Sequence, residues 1–390
     1  MAEIVERPAI LLYTRIRKSP YFYASRRHGP TMYSVYNHFY HPRHYGDPIA
    51  EYWHLVNGVT LWDVGVERQI EISGSDAFRL ANMLVPRDLR KCAVGQCKYV
   101  FITAPDGGII NDPVLLRVGE DRFWLSLADS DVDLWALGVA HGAGMDVTVR
   151  EVDVAPVQVQ GPKAKEVLVD LVGARILEVP YYGLMEARID GLDVVVSRTG
   201  YTGEVGYEIY LYEARKNAIR LWDAVLEAGR PHGLEVIGPC HIRRIEAGIL
   251  AYGADMWLDT NPFEVDMGYP WMVDLDQEAD FIGKEALRRI KAEGISRKLV
   301  GVEIGGDPLG TYIDNEMIDF FPVLVHGRQV GQVTSACWSP RLEKNIGFAM
   351  LPIEHVVMDS EVEVETPHGR ERGVVVPKPF YDPTKEIPKT

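Results

Sequence analysis

Asp112 is the first residue in this sequence whose type and setting could do chemistry. It closes the turn Gly107-Gly108-Ile109-Ile110-Asn111-Asp112-Pro113, just before the apolar strand Val114-Leu115-Leu116, so an amide and a carboxylate arrive at one spot. A carboxylate so held can take a proton from a nitrogen or orient its lone pair. The bland use of the same residue is to cap its own turn, and Asn111 suits a turn equally well. A second acid, Glu208, ends the glycine-rich run Ser197-Arg198-Thr199-Gly200-Tyr201-Thr202-Gly203-Glu204-Val205-Gly206-Tyr207-Glu208. A carboxylate accepts two parallel hydrogen bonds from an amino-pyrimidine or guanidinium edge, and glycines let backbone come close to a planar ligand. The alternation in Ile209-Tyr210-Leu211-Tyr212 also fits a plain strand glutamate facing water.

Around these acids the sequence supplies aromatic rings. Tyr33, Tyr36, Trp62, Tyr201 and Tyr210 could hold a methylated cation, each face attracting it by roughly 0.5–2 kcal/mol; packing is the commoner use of such rings. Tyr99, between Lys98 and Val100, could stack on a flat ligand or sit in the core. Lys98 and Arg68 could meet a substrate carboxylate, or lie on the surface as ordinary charges. His38, His41 and His44 have ligand-like spacing, but Pro42 keeps them off a common helical face and no cysteine pair supports them, so no metal site is expected. Gly142-Ala143-Gly144 lacks the third glycine of a dinucleotide fingerprint, so no built-in flavin or nicotinamide domain is implied.

The elements that must position these residues are legible in outline. Gln69-Ile70-Glu71-Ile72 alternates like a strand, Gly74-Ser75-Asp76 turns, and Ala77 to Leu84 reads as a helix. The same strand, turn and helix order recurs from Val157 through Gly161-Pro162-Lys163 to about Leu171. Helical spacing returns over Arg215 to Ala228 and Ile242 to Leu250, and a last helix opens after Gly283 and ends near Gly294. Short strands follow, over Leu299 to Ile304, Pro322 to His326, Gln329 to Val333, Val362 to Glu365 and Gly373 to Pro377, and predict a closed β module. The stretch from Tyr21 to Trp62 is dense in aromatic and histidine side chains, and Pro42 and Pro48 predict that much of it is irregular.

A chain of 390 residues buries a large core in more than one domain. Its 47% apolar and 25% charged fractions are those of a globular protein, and the net charge of −15 argues against a nucleic-acid partner. No apolar run nears the roughly 20 residues that span a bilayer. Four cysteines without a CxxC pair suit a reducing compartment, so a cytoplasmic, soluble protein is expected.

The two glycine-containing turns together resemble the folate-binding core of the glycine-cleavage T-protein family, the tetrahydrofolate-dependent aminomethyl and methyl transferases. The resemblance runs collinearly from about Val64 to Pro379, through Val159-Gln160-Gly161-Pro162-Lys163-Ala164, Arg244-Ile245-Glu246-Ala247-Gly248, Tyr252-Gly253-Ala254-Asp255-Met256, Asn261-Pro262-Phe263-Glu264, Phe281-Ile282-Gly283-Lys284-Glu285-Ala286-Leu287 and Thr334-Ser335-Ala336-Cys337-Trp338-Ser339-Pro340. It implies an α+β multi-domain fold: a folate-binding core of mixed sheets and helices over residues 1–290, with an inner part over about 60–149, and a C-terminal β-barrel over 291–390. It implies an enzyme with tetrahydrofolate as cofactor and a small-molecule methyl donor, acting alone or as a homo-oligomer. Asp112 would lie by the reactive folate nitrogens and Glu208 would clamp the pterin, with Tyr99, Asn111 and Arg341 as further folate contacts.

Two departures set the chain apart from aminomethyltransferases: Asn111-Asp112 where the family has two acids, and Cys240-His241 where it has an arginine–aspartate pair. The segments Trp62-to-Gln69, Tyr36-Asn37-His38, Asn111-Asp112-Pro113-Val114 and Ala128-Asp129-Ser130-Asp131 instead look like those of the family's dimethylsulfoniopropionate demethylases. That branch would place the donor against Tyr210 and the position of Tyr201, where its pattern has a tryptophan; Tyr36, Trp62 and Lys98 are the further donor contacts that the residues themselves offer.

Overall fold

The computed structural model describes residues 13–310 and 320–390. Two antiparallel sheets carry the site. The larger orders its six strands as Leu184–Ile189, Leu192–Ser197, Gly206–Tyr212, Val154–Gln160, Thr60–Asp63 and Glu235–Val236, only the last pair running parallel. All seven residues of Val154–Gln160 are buried, because helices Ala164–Val172 and Ala214–Gly229 cover one face and the second sheet approaches the other. That second sheet orders Thr148–Glu151, Gln69–Ser73, Arg122–Ser126, Val114–Gly119 and Gln96–Tyr99, backed by helices Ala77–Leu84 and Val132–Gly142. The sheets meet through Cys97, Leu116, Trp124, Val195 and Tyr210.

The recurring strand, turn and helix order has a common physical basis. Gly74 and Gly161 hold φ of 126° and 121°, and a Cβ on either would press a neighbouring carbonyl, Asp146 O at 2.6 Å or Gly58 O at 2.5 Å. Only glycine fits a left-handed turn against another backbone. After the helix Lys284–Glu293, a closed six-stranded barrel begins at Arg297 and ends with Gly369–Val376.

Two expectations need correction. The Tyr21-to-Trp62 stretch is largely regular: it contains helices Phe22–Arg26 and Pro48–Asn57, strand Thr60–Asp63, and a hairpin of Met32–Tyr36 with Phe39–His44. Neither proline breaks an element. Pro48 opens its helix, where a missing N–H costs nothing, behind an Asp47 cap. Pro42 sits where the hairpin register slips, so the ladder does not need its donor. The hairpin turns on Asn37 and His38, both at positive φ, a two-residue turn that favours Asn. The expected helix Ile242 to Leu250 runs only over His241–Glu246, because Gly248 turns the chain at φ 67°.

Candidate active site

The two acids singled out in the sequence open onto one cavity of about 620 Å³. Asp112 follows the short strand Ile109–Asn111, and its Oδ2 accepts a 2.9 Å hydrogen bond from the Tyr99 hydroxyl. Withdrawal from water raises its pKa to about 7; the Tyr99 bond opposes the rise and the Asp255 charge adds to it. Glu208 is 4% exposed on its strand. Its Oε1 accepts from Gln158 Nε2 at 2.6 Å, and its Oε2 from Thr199 Oγ1 at 2.6 Å and the Tyr210 hydroxyl at 2.7 Å. Gln158 stands directly across the ladder, and its own Oε1 is buried without a partner among the described residues.

Sequence reasoning missed a third acid. Glu67 lines the same cavity and accepts a 2.7 Å bond from Ser126 Oγ. Burial, with the nearby Glu208 and Asp112 charges, pushes its pKa up to about 8. Next to Arg68 it reads like half of a surface ion pair; its one signal is its place in the Trp62-to-Gln69 segment.

Tyr36, Trp62, Lys98, Tyr99 and Tyr201 all line the cavity. Burial, then the charges of Glu67 and Asp112, hold the Tyr36 phenol well above its ordinary pKa, which sets that ring among the acids. The Tyr201 hydroxyl donates to the Leu250 carbonyl at 3.1 Å. Lys98 forms no ion pair among the described residues.

Other candidates lie behind the cavity wall. Tyr210 is fully buried against Trp124 and reaches the site only through its bond to Glu208. Asn111 is also fully buried: its amide donates to Ser130 Oγ at 2.8 Å and its oxygen accepts from Ala128 N at 3.2 Å. Arg341 lies 4.1 Å over the Tyr381 ring, and Tyr381 is the one that faces the cavity. Arg68 is spent on Asp131, Asp133 and Glu151, at 2.7–2.9 Å. Tyr33 packs on Phe22 and Tyr40.

The histidines divide too. His38 is exposed beside Asp131 at 3.2 Å, whereas His41 and His44 are buried and held neutral by burial and Arg43, His44 with a pKa of about 4. Among the described residues no group of three or more His, Cys, Asp or Glu could hold a metal ion.

The motif segments that set this sequence apart turn out to touch one another. Asn37 donates through Nδ2 to the Leu127 carbonyl at 3.1 Å, and its Oδ1 accepts from Ser130 N, also at 3.1 Å. Its own N–H donates to Asp129 at 2.7 Å, and Ser130 is the residue that holds Asn111. One knot of polar contacts thus fixes Tyr36 and Asp112 on their sides of the cavity.

The glycines of the second motif serve a neighbour. A Cβ on Gly200 or Gly206 would overlap the Gln160 side chain, which accepts from Thr202 Oγ1 at 2.8 Å. Gly200, Gly203 and Gly206 also line the cavity.

The lining also includes Arg43, Arg243, Arg244, His41 and His241. Arg243 pairs with Glu204 at 2.7 Å and Arg244 with Asp255 at 2.6 Å.

Fold and site together define a one-carbon transferase of the glycine-cleavage type. The chain matches the family described as GCVT N-terminal domain over residues 22–277, and the glycine cleavage T-protein C-terminal barrel domain over 297–382. It belongs to this family and is an enzyme. Among its relatives, dimethylsulfoniopropionate demethylase DmdA of Ruegeria pomeroyi is 35% identical, covering 94% of this chain and 98% of that one. An aminomethyltransferase of Bacillus mycoides is 34% identical, over 84% and 88%. The fold is that of the glycine cleavage system aminomethyltransferase T from Bartonella henselae, with a TM-score of 0.83 at 24% identity, over 94% and 99% of the two chains.

Tetrahydrofolate is the cofactor of this family, and the residues present fit it. A pterin presents a row of N–H donors, and the Glu208 carboxylate beside the unpartnered Gln158 oxygen presents acceptors only. Among the described residues no helix is long and apolar enough to cross a membrane.

Proposed function

We propose that the enzyme moves a methyl group from a small sulfonium, dimethylsulfoniopropionate or a close relative, to tetrahydrofolate. The observation that carries this reading is the setting of Asp112: a half-buried acid with a pKa near 7, on a cavity shared with Glu208 and lined by Tyr36, Tyr99 and Tyr201. Tetrahydrofolate supplies the nitrogen nucleophile. Glu208, with Gln158, holds the amino-pyrimidine edge, and the rings of Tyr36 and Tyr201 hold the donor cation. The carbon–sulfur bond breaks with its electron pair left on sulfur, so a neutral thioether departs. Asp112 accepts the proton that the folate nitrogen sheds as it gains carbon.

Leaving-group chemistry favours the sulfonium. A quaternary ammonium departs less readily, and an aryl methyl ether needs its phenolate stabilised. A neutral thioether leaves with positioning alone. The 35% identity to DmdA over nearly the whole chain supports the same choice. Aminomethyl transfer is the second reading, supported by the Bacillus relatives; Asn111-Asp112 and Cys240-His241 weigh against it. A non-catalytic folate-binding scaffold would have no use for an acid at Asp112.

The test is a turnover screen for 5-methyltetrahydrofolate with dimethylsulfoniopropionate, glycine betaine and a methoxybenzoate, beside an aminomethyl donor followed as 5,10-methylenetetrahydrofolate and ammonia. The sulfonium should show the highest kcat/KM. A competitor ahead by more than about tenfold, roughly 1.4 kcal/mol of transition-state preference, rejects the sulfonium.

A further inference from the structure

The arginine and histidine side chains around Arg43 line the cavity and have no role in the folate reading. In the hairpin, Tyr33 pairs with Pro42 and Met32 with His44, which leaves Arg43 as the extra residue of a β-bulge. Bulges re-aim a side chain, and they gather at sites; the Arg43 side chain lines the cavity. The bulge is pressed against a second segment, because a Cβ at Gly238 would collide with the Arg43 carbonyl. That contact brings His241, three residues further on, to the same wall.

Arg244 lies 3.2 Å from both His241 ring nitrogens, and is itself fixed by Asp255 and by Ser335 Oγ at 2.6 Å. His41, two residues before the bulge, is 5% exposed, and neither of its ring nitrogens has a partner among the described residues. Its ring is 5.6 Å from that of Tyr36. Burial dominates the setting of both tyrosines; after it Tyr36 feels Glu67 and Asp112, and Tyr201 feels Arg244, Asp255, Asp112 and Arg43. Arg43 and His41 thus share one cavity with the acids and with Tyr36 and Tyr201.

The geometry points to a carboxylate subsite formed by Arg43 and His41, which holds the acid end of the methyl donor while its onium end lies by Tyr36 and Tyr201. The inference rests on the methyl-transfer reading and deepens it. The donor is a zwitterion whose charges are a few bonds apart, and the enzyme discriminates against onium compounds that lack the acid. Folate also carries carboxylates, on its glutamyl tail, so the experiment separates the two sources.

Titration calorimetry and kcat/KM are measured for two pairs: dimethylsulfoniopropionate with trimethylsulfonium, and glycine betaine with tetramethylammonium. The variants are Arg43→Gln and His41→Phe, the second keeping ring volume against Tyr36. The wild type should favour the carboxylate member of a pair by about 10–100-fold, the size of a charge-assisted hydrogen bond. Both variants should erase most of that preference, costing the carboxylate member at least about tenfold more than its carboxylate-free partner. A preference that survives in both variants, or an equal loss for both members, overturns the subsite, as does a wild type that binds none of the four. Tetrahydrofolate and 6-methyltetrahydropterin are titrated in parallel; weakening of the former alone assigns the wall to the glutamyl tail and overturns the donor assignment. A wild type that binds the acids but transfers no methyl group rejects the proposed function and leaves the subsite standing.

Discussion

Asp112 and Glu208 share a cavity but not a hydrogen-bond environment. Asp112 has one side-chain donor, Tyr99, and a pKa raised to about 7; Glu208 has three, which fix its carboxylate in place. A base must be ionised to act, so kcat/KM should rise with pH through about 7 as Asp112 loses its proton, then level off. Asp112→Asn should flatten that limb and lower turnover roughly 10²-fold while folate affinity changes less; a parent-like rate would make the acid structural. Glu208→Ala should weaken tetrahydrofolate binding by on the order of 1.5–3 kcal/mol, measured by calorimetry, and unchanged affinity removes the pterin clamp. Both acids were legible because each closes a turn of unusual composition. Glu67 and Arg43 were not: each becomes a site residue only through long-range pairing, one by facing Glu208 and the other by a register slip.

Among elements, those with strong local punctuation were read correctly. The helix Ala77–Leu84 follows its glycine turn as expected, and the C-terminal strands close into a barrel. The regularity of the N-terminal stretch was lost because Pro42 in the hairpin and Pro48 at the helix start occupy places where proline is harmless, and no local pattern announces a bulge. The glycine-rich turn has a second use that the motif did not announce: Gly200 and Gly206 line the cavity and also make room for Gln160. Gly206→Ala should therefore destabilise the fold by about 1–3 kcal/mol through overpacking, lowering Tm. The companion Gly206→Ala/Gln160→Ala should recover part of that loss. An unaltered Tm in the single variant would return the glycine to a ligand role.

At the scale of the molecule, the barrel is wired into the catalytic half. Thr334 and Ser335 donate to Asp255 at 2.7 and 2.6 Å, and Ser339 and Tyr52 donate to Glu246 at 2.6 and 2.8 Å. One apolar cluster joins Tyr52, Leu55 and Ile245 to Leu299, Cys337 and Phe348. A core that crosses the boundary near residue 297 predicts one cooperative unfolding transition, read as coincident far-UV and near-UV melts; two separated melts would show an independent barrel. The knot of Asn37, Ser130 and Asn111 carries a different consequence. None of the three reaches the cavity, yet each decides where Tyr36 or Asp112 stands. A substitution at any of the three would therefore reshape the cavity from behind its wall, through the position of Tyr36 or Asp112.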